Sequence, residues 1–98
     1  MSDKDSRTIG KSMEETRANH SRYLKAINNP LRRRILRALK DDSTTIRDLE
    51  SRTGLDVKTL KWHLSILEHG LCVTKDNREG QTVYNLTQEG RVVNYLDK

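Results

Sequence analysis

Lys58, Thr59, Lys61, Trp62 and Ser65 stand close together in VKTLKWHLSILEH, residues 57–69, and their types suit contact with a polyanion. Lysine can donate to guanine edges or phosphates, threonine can bond a base or touch a thymine methyl, and serine reaches phosphate. At about 100° per residue in a helix, Val57, Leu60, Leu64 and Leu67 fall within roughly an 80° arc. Lys58, Trp62, Ser65 and His69 cluster within about 60° on the opposite side, with Thr59 and Lys61 flanking them. Further along, Lys75, Arg78 and Gln81 form a second polar group suited to phosphate contact or to insertion of Arg78 into a minor groove. Asp76 and Glu79 dilute it.

Each of these residues also has a plainer use. Lys58 and Lys61 could belong to an ordinary solvated helix face, and Arg78 to a solvated loop. Trp62 could pack on a neighbouring element instead of touching a partner. His63 points to the flank of the leucine stripe and reads as a hydrogen-bonded structural histidine. Ile66 lies on neither clean face, and a subunit or inter-element contact would explain it.

Catalytic and metal chemistry find little to work with. Three histidines, one cysteine and no glycine-rich phosphate loop supply no nucleophile, base and orienter, so neither an enzyme nor a cofactor is expected. His63 and His69 lie about 240° apart around a helix and cannot chelate together within it. Cys72 reads as a half-buried thiol, with part of an intersubunit metal site or a redox cross-link as the alternatives.

Composition sets the frame. A chain of 98 residues makes one domain with a single modest core. Its 19 Lys and Arg against 14 Asp and Glu give a net charge of +5, which favours a polyanionic partner but also fits an anionic membrane surface or an acidic protein. The longest apolar run is Leu71, Cys72 and Val73, too short to span a membrane. MSDKDSRTIGKS lacks the apolar stretch of a signal peptide, and a single cysteine suits a reducing compartment, so a cytoplasmic protein is expected.

The elements that must position the basic face emerge from periodicity and punctuation. Residues 1–12 read as a flexible polar tail before a domain covering 13–98. A helix over about 13–28 carries Tyr23, Leu24 and Ile27 on one side. Asn29-Pro30 opens a second, Pro30 to Leu39, with Leu31, Ile35, Leu36, Ala38 and Leu39 inward and Arg32, Arg33, Arg34 and Arg37 on the solvated surface. KDDST is a turn, with a strand of one or two residues at Ser43-Thr44. Thr45 caps a short helix, Asp48 making a weak capping box, and Gly54 ends it in the left-handed conformation. Asp56 caps the next helix, spanning 56–69, and Gly70 should terminate that one as Gly54 does the first. Alternation from Leu71 to Leu86 predicts a hairpin around a charged loop, KDNREGQ. Thr87 caps a last helix from Gln88 to about Asp97, with Val92, Val93 and Leu96 on one side. The expected fold class is mainly α, a small α+β domain: a winged helix-turn-helix with a two-stranded hairpin wing, residues 72–86, between flanking N- and C-terminal helices.

From Tyr23 onward the chain resembles the ArsR-type winged helix-turn-helix regulators. NPLRRRIL, the HL-x-x-L-x-x-GL stretch from His63 to Leu71, and the YNLT-x-x-G ending carry the resemblance. It implies sequence-specific binding to double-stranded DNA in control of transcription, with the 56–69 helix in the major groove. Lys58, Thr59, Lys61 and Trp62 would face the bases, and the wing would bring Lys75, Arg78 and Gln81 to the backbone or minor groove. The terminal helices would pair two subunits in a homodimer. Where such regulators usually carry a small polar residue then a basic one, this chain has Lys61 then Trp62. Many of them sense metals through cysteine pairs on the helix before the reading helix, or through His and acid ligands on the last helix. Here those stretches read IRDLES and QEGRVVNYLDK, so no metal site is expected. A protein-interaction module, served by Trp62 and Ile66, and a non-specific nucleic-acid binder remain alternatives.

Overall fold

Capping side chains set where the helices begin. The computed structural model describes residues 8–39 and 43–96, and its first helix, α1 (Met13–Ile27), starts at Ser12, whose hydroxyl accepts the Glu15 N–H. Asn29 Oδ1 accepts the N–H groups of Leu31 and Arg32 at the head of α2 (Pro30–Leu39). Strand β1 (Thr44–Thr45) leads into α3 (Ile46–Thr53), where the Thr45 hydroxyl takes the Asp48 N–H. Asp56 does the same for Thr59 at the start of α4 (Val57–His69). Each acceptor occupies one of the orphan donors that a helix N-terminus leaves. Between α3 and α4, Gly54 takes φ +74°, a left-handed cap that a side chain would disfavour.

Strands β2 (Val73–Arg78) and β3 (Gln81–Leu86) form the wing, and β1 pairs with β3, giving a three-stranded antiparallel sheet in the order β1-β3-β2. Leucines and isoleucines from the helices close the core. Ile35, Leu36, Leu39, Leu49, Leu60, Leu64 and Leu67 are fully buried, joined by Ala26, Cys72, Val73, Tyr84 and Val93. No helix among the described residues is long and apolar enough to cross a membrane.

Several local expectations need correction. Arg32 does not lie on the solvated face but is 7% exposed. Its Nε donates to Ala26 O at 2.7 Å and its Nη2 to Lys25 O at 3.3 Å. Arg33 Nε reaches Ile27 O at 2.8 Å. These bonds satisfy the last carbonyls of α1, which the helix itself cannot use. Leu24 is exposed; Ala26 and Ile27 are the buried residues of α1. The left-handed residue after α4 is Leu71, at φ +66°, and Gly70 sits at φ −84°. Glycine is needed at 70 for a different reason: a Cβ there would lie 2.4 Å from Ala26 Cβ and 2.9 Å from Arg22 O. The wing keeps its expected extent, but its strands run further and its turn is tighter than a KDNREGQ loop. Arg78 pairs with Gln81 across a two-residue turn in which Glu79 and Gly80 both have positive φ, the conformation whose twist matches the flanking strands.

The C-terminal segment is also less regular than a single helix. A short 3₁₀ turn (Gly90–Val92) runs into α5 (Val93–Leu96). Thr87 anchors it, its hydroxyl donating to Leu71 O and accepting the Gly90 N–H. The expected end at Asp97, the first three residues of the KDDST turn and most of the tail lie outside the described residues. From Thr8 the chain lies along α1, with Gly10 N–H donating to Thr16 Oγ1 and Asn19 Nδ2 to Thr8 O.

Candidate nucleic-acid interface

The three leucines of α4 anchor it from behind, since Leu60, Leu64 and Leu67 are completely buried. On the opposite side Lys58, Lys61, Trp62, Ser65 and His69 are exposed, and Thr59 is half-buried in the first turn. Lys58, Thr59, Lys61 and Trp62 line one shallow concavity of about 540 Å³. Trp62 is 61% exposed, and its ring meets that of His63 edge-on, with centroids 4.9 Å apart. At the N-terminus the Thr59 hydroxyl and N–H hold the Asp56 carboxyl below its usual range, keeping a charged cap beside Lys58.

Lys61 also faces the wing. It lines a second recess of about 290 Å³ with Ile46, Ser65, Glu68, Lys75, Thr82 and Tyr84. Two separate sequence groups, one on α4 and one on β2, thus meet through Lys61, Ser65 and Lys75. The Ser65 hydroxyl donates to Trp62 O at 2.8 Å, a local bond that a rotation of the exposed hydroxyl can exchange for a phosphate. Arg78 and Gln81 stand apart from this group as cross-strand neighbours at the wing tip. Arg78 Nε lies 3.7 Å from Asp76 Oδ2 with both side chains exposed. Such a pair is weak and would give way to a phosphate.

His63 is buried, and its Nδ1 lies 3.3 Å from Arg32 Nη1. That is the structural role its place beside the leucine stripe suggests. Ile66 is half-buried and packs against the core, an inter-element contact. Three residues around Trp62 carry no signal in the sequence: Arg22, Lys25 and Arg32 share a groove with it, Ile66 and His69. No local pattern marks them, because the groove forms only where α1 crosses α4. Among the described residues no group of three His, Cys, Asp or Glu side chains is placed to hold a metal ion. Cys72 is fully buried, not half-buried, and burial pushes its thiol up to about 12.

Comparison with known proteins agrees with this arrangement. A family model described as a helix-turn-helix domain matches residues 27–74. The chain is 35% identical over 60 residues to the transcriptional repressor SdpR of Bacillus subtilis (strain 168); the match takes in 61% of this chain and 66% of the repressor's length. Among solved structures it is similar to HlyU from Vibrio cholerae N16961, with a TM-score of 0.71 and 28% identity over 86% of this chain and 94% of that one. The transcriptional repressor BigR from Xylella fastidiosa is similar too, with a TM-score of 0.69 and 26% identity over 86% of this chain and 88% of BigR.

Proposed function

The chain is an ArsR-like winged helix-turn-helix regulator, and on that premise we propose that it binds DNA sequence-specifically to control transcription. α4 enters the major groove, and the wing lies on the adjacent backbone or minor groove. Lys58, Thr59, Lys61 and Trp62 face the bases; Ser65 and Lys75 meet the flanking strand, and Arg78 and Gln81 approach from the wing tip. One observation carries this reading: Lys58, Lys61 and Trp62 stand clear of the protein while the leucines on the same helix are wholly buried.

The working unit is a homodimer in the reducing cytoplasm. Met13 and Tyr95 are each 73% exposed on the terminal helices, with Leu24 and Leu96 also uncovered, which suits pairing of α1 and α5 with a second copy. Two reading helices related by a two-fold axis would meet half-sites about 34 Å apart on a rough palindrome. Sedimentation across a concentration series reads the oligomeric state directly.

The function is tested by titrating labelled duplexes at two salt concentrations. A duplex from upstream of the protein's own gene should bind more tightly than a random one, with affinity falling steeply as salt rises. Equal binding of both would indicate charge-driven association. No binding would point to a protein-interaction module.

A further inference from the structure

Where α1 crosses α4, a groove of about 440 Å³ is lined by Arg22, Lys25, Arg32, Trp62, Ile66 and His69. We propose that this groove binds a small planar organic anion, an aromatic ring system bearing a carboxylate or a similar acidic group. The volume falls in the range of small-molecule sites. On the α4 side the wall is the exposed ring of Trp62 beside half-buried Ile66, a flat apolar surface suited to stacking. On the α1 side stand Arg22 and Lys25, three residues apart and therefore on one face of the helix, both exposed. One arm of the Arg22 guanidinium donates to Asn19 Oδ1 at 2.8 Å. Arg32 adds a positive charge from beneath, its donors engaged by backbone carbonyls and His63.

The sign of the lining selects the ligand. No carboxylate lies among the described residues that line the groove. A cationic ligand would meet three positive side chains, and a neutral ring would gain only weak cation–π contact from them. An aromatic acid can lay its ring on the indole while its charged group meets Arg22 and Lys25, combining stacking with charge-assisted hydrogen bonds. Another groove on α1, lined by Tyr23, Gln88, Glu89, Arg91, Val92 and Tyr95, includes an acid and lacks this single sign.

Trp62 is the only tryptophan, so the isotope-labelled full chain shows one indole N–H resonance, and it reports from inside the site. The probe is naphthoate, with uncharged naphthamide as control, titrated without DNA into the wild type and an Arg22→Ala/Lys25→Ala variant. Expected is a saturable shift of the indole resonance, with naphthoate binding roughly fivefold or more tighter than the amide and weakening by roughly fivefold or more in the variant. Absence of a saturating shift, or a smaller difference in either comparison, overturns the proposal. If the backbone spectrum shows that the alanine variant is misfolded, Arg22→Gln/Lys25→Gln removes the same charges with less loss of side chain. Because no duplex is present, the outcome is independent of how α4 reads DNA.

Discussion

Arg32 Nη1 and His63 Nδ1 meet 3.3 Å apart in the interior, tying the head of α2 to α4 directly behind Trp62. Arginine can only donate, so His63 Nδ1 must be the acceptor and its ring proton must sit on Nε2. Burial first, and then the Arg32 charge, hold the His63 pKa below its ordinary value.

That depression makes stability depend on pH in a definite direction. The folded protein resists protonating His63, whereas the unfolded chain takes up the proton near the ordinary histidine value of about 6.5. Stability is therefore full above that value and falls as the pH drops through it, levelling only where the folded form protonates as well. Thermal melts between about pH 7.5 and pH 5.5 should show a falling Tm in the wild type and a flatter profile in His63→Gln. Parallel profiles would place the responsible group elsewhere.

Gly70→Ala tests the crossing of α1 over α4. The added methyl would sit 2.4 Å from Ala26 Cβ, and the Arg22 carbonyl blocks retreat at 2.9 Å. Overpacking of this kind costs about 1–3 kcal/mol. Urea unfolding should register that loss, and Ala26→Gly in the same chain should recover part of it. Full stability in Gly70→Ala would mean that the helices separate easily.

This crossing also marks where the sequence stops being legible. Ser43-Thr44 is one residue out of register with β1, but Thr45, Asp56, Asn29 and Thr87 sit where short polar residues precede apolar periodicity, and each caps the helix or turn that it opens. The outward set on α4 comes from 3.6-residue periodicity alone, and Lys58, Lys61 and Trp62 are indeed exposed. By contrast, nothing in RRR distinguishes Arg32 from its neighbours. Its burial depends on the last carbonyls of α1 coming within reach, a tertiary fact. Gly70 misleads for a similar reason: it caps α4 as expected, but its missing side chain serves the contact with α1 and not a left-handed turn. The outer halves of the wing strands read as a loop because they project into solvent on both faces, so alternation fades while the ladder continues.

Cys72 should be chemically quiet. With its thiol pushed up to about 12 and no exposed surface, almost no thiolate is present near neutral pH. Dithionitrobenzoate at about pH 8 should modify the native protein more than about a hundredfold more slowly than the urea-unfolded chain, the reaction waiting on local opening. Native modification within about tenfold of the unfolded rate would reveal an accessible thiol and revive a redox role.

Lys61 and Arg78 should divide the work of binding. Lys61 lies at the junction of the α4 surface and the recess under the wing, so it is placed to donate to a base edge and to a phosphate beside it. Arg78 sits at the wing tip, paired only loosely with Asp76, where backbone contact is the natural use. Lys61→Ala should narrow the affinity gap between a selected operator and a random duplex by about tenfold, since a good base contact carries about 1–3 kcal/mol of discrimination. Arg78→Ala should weaken both duplexes alike and lower the slope of log affinity against log salt by about one. Binding curves for both variants on both duplexes at several salt concentrations separate the two effects. If Arg78→Ala altered base preference while Lys61→Ala changed only the salt slope, the wing and not α4 would be the reading element.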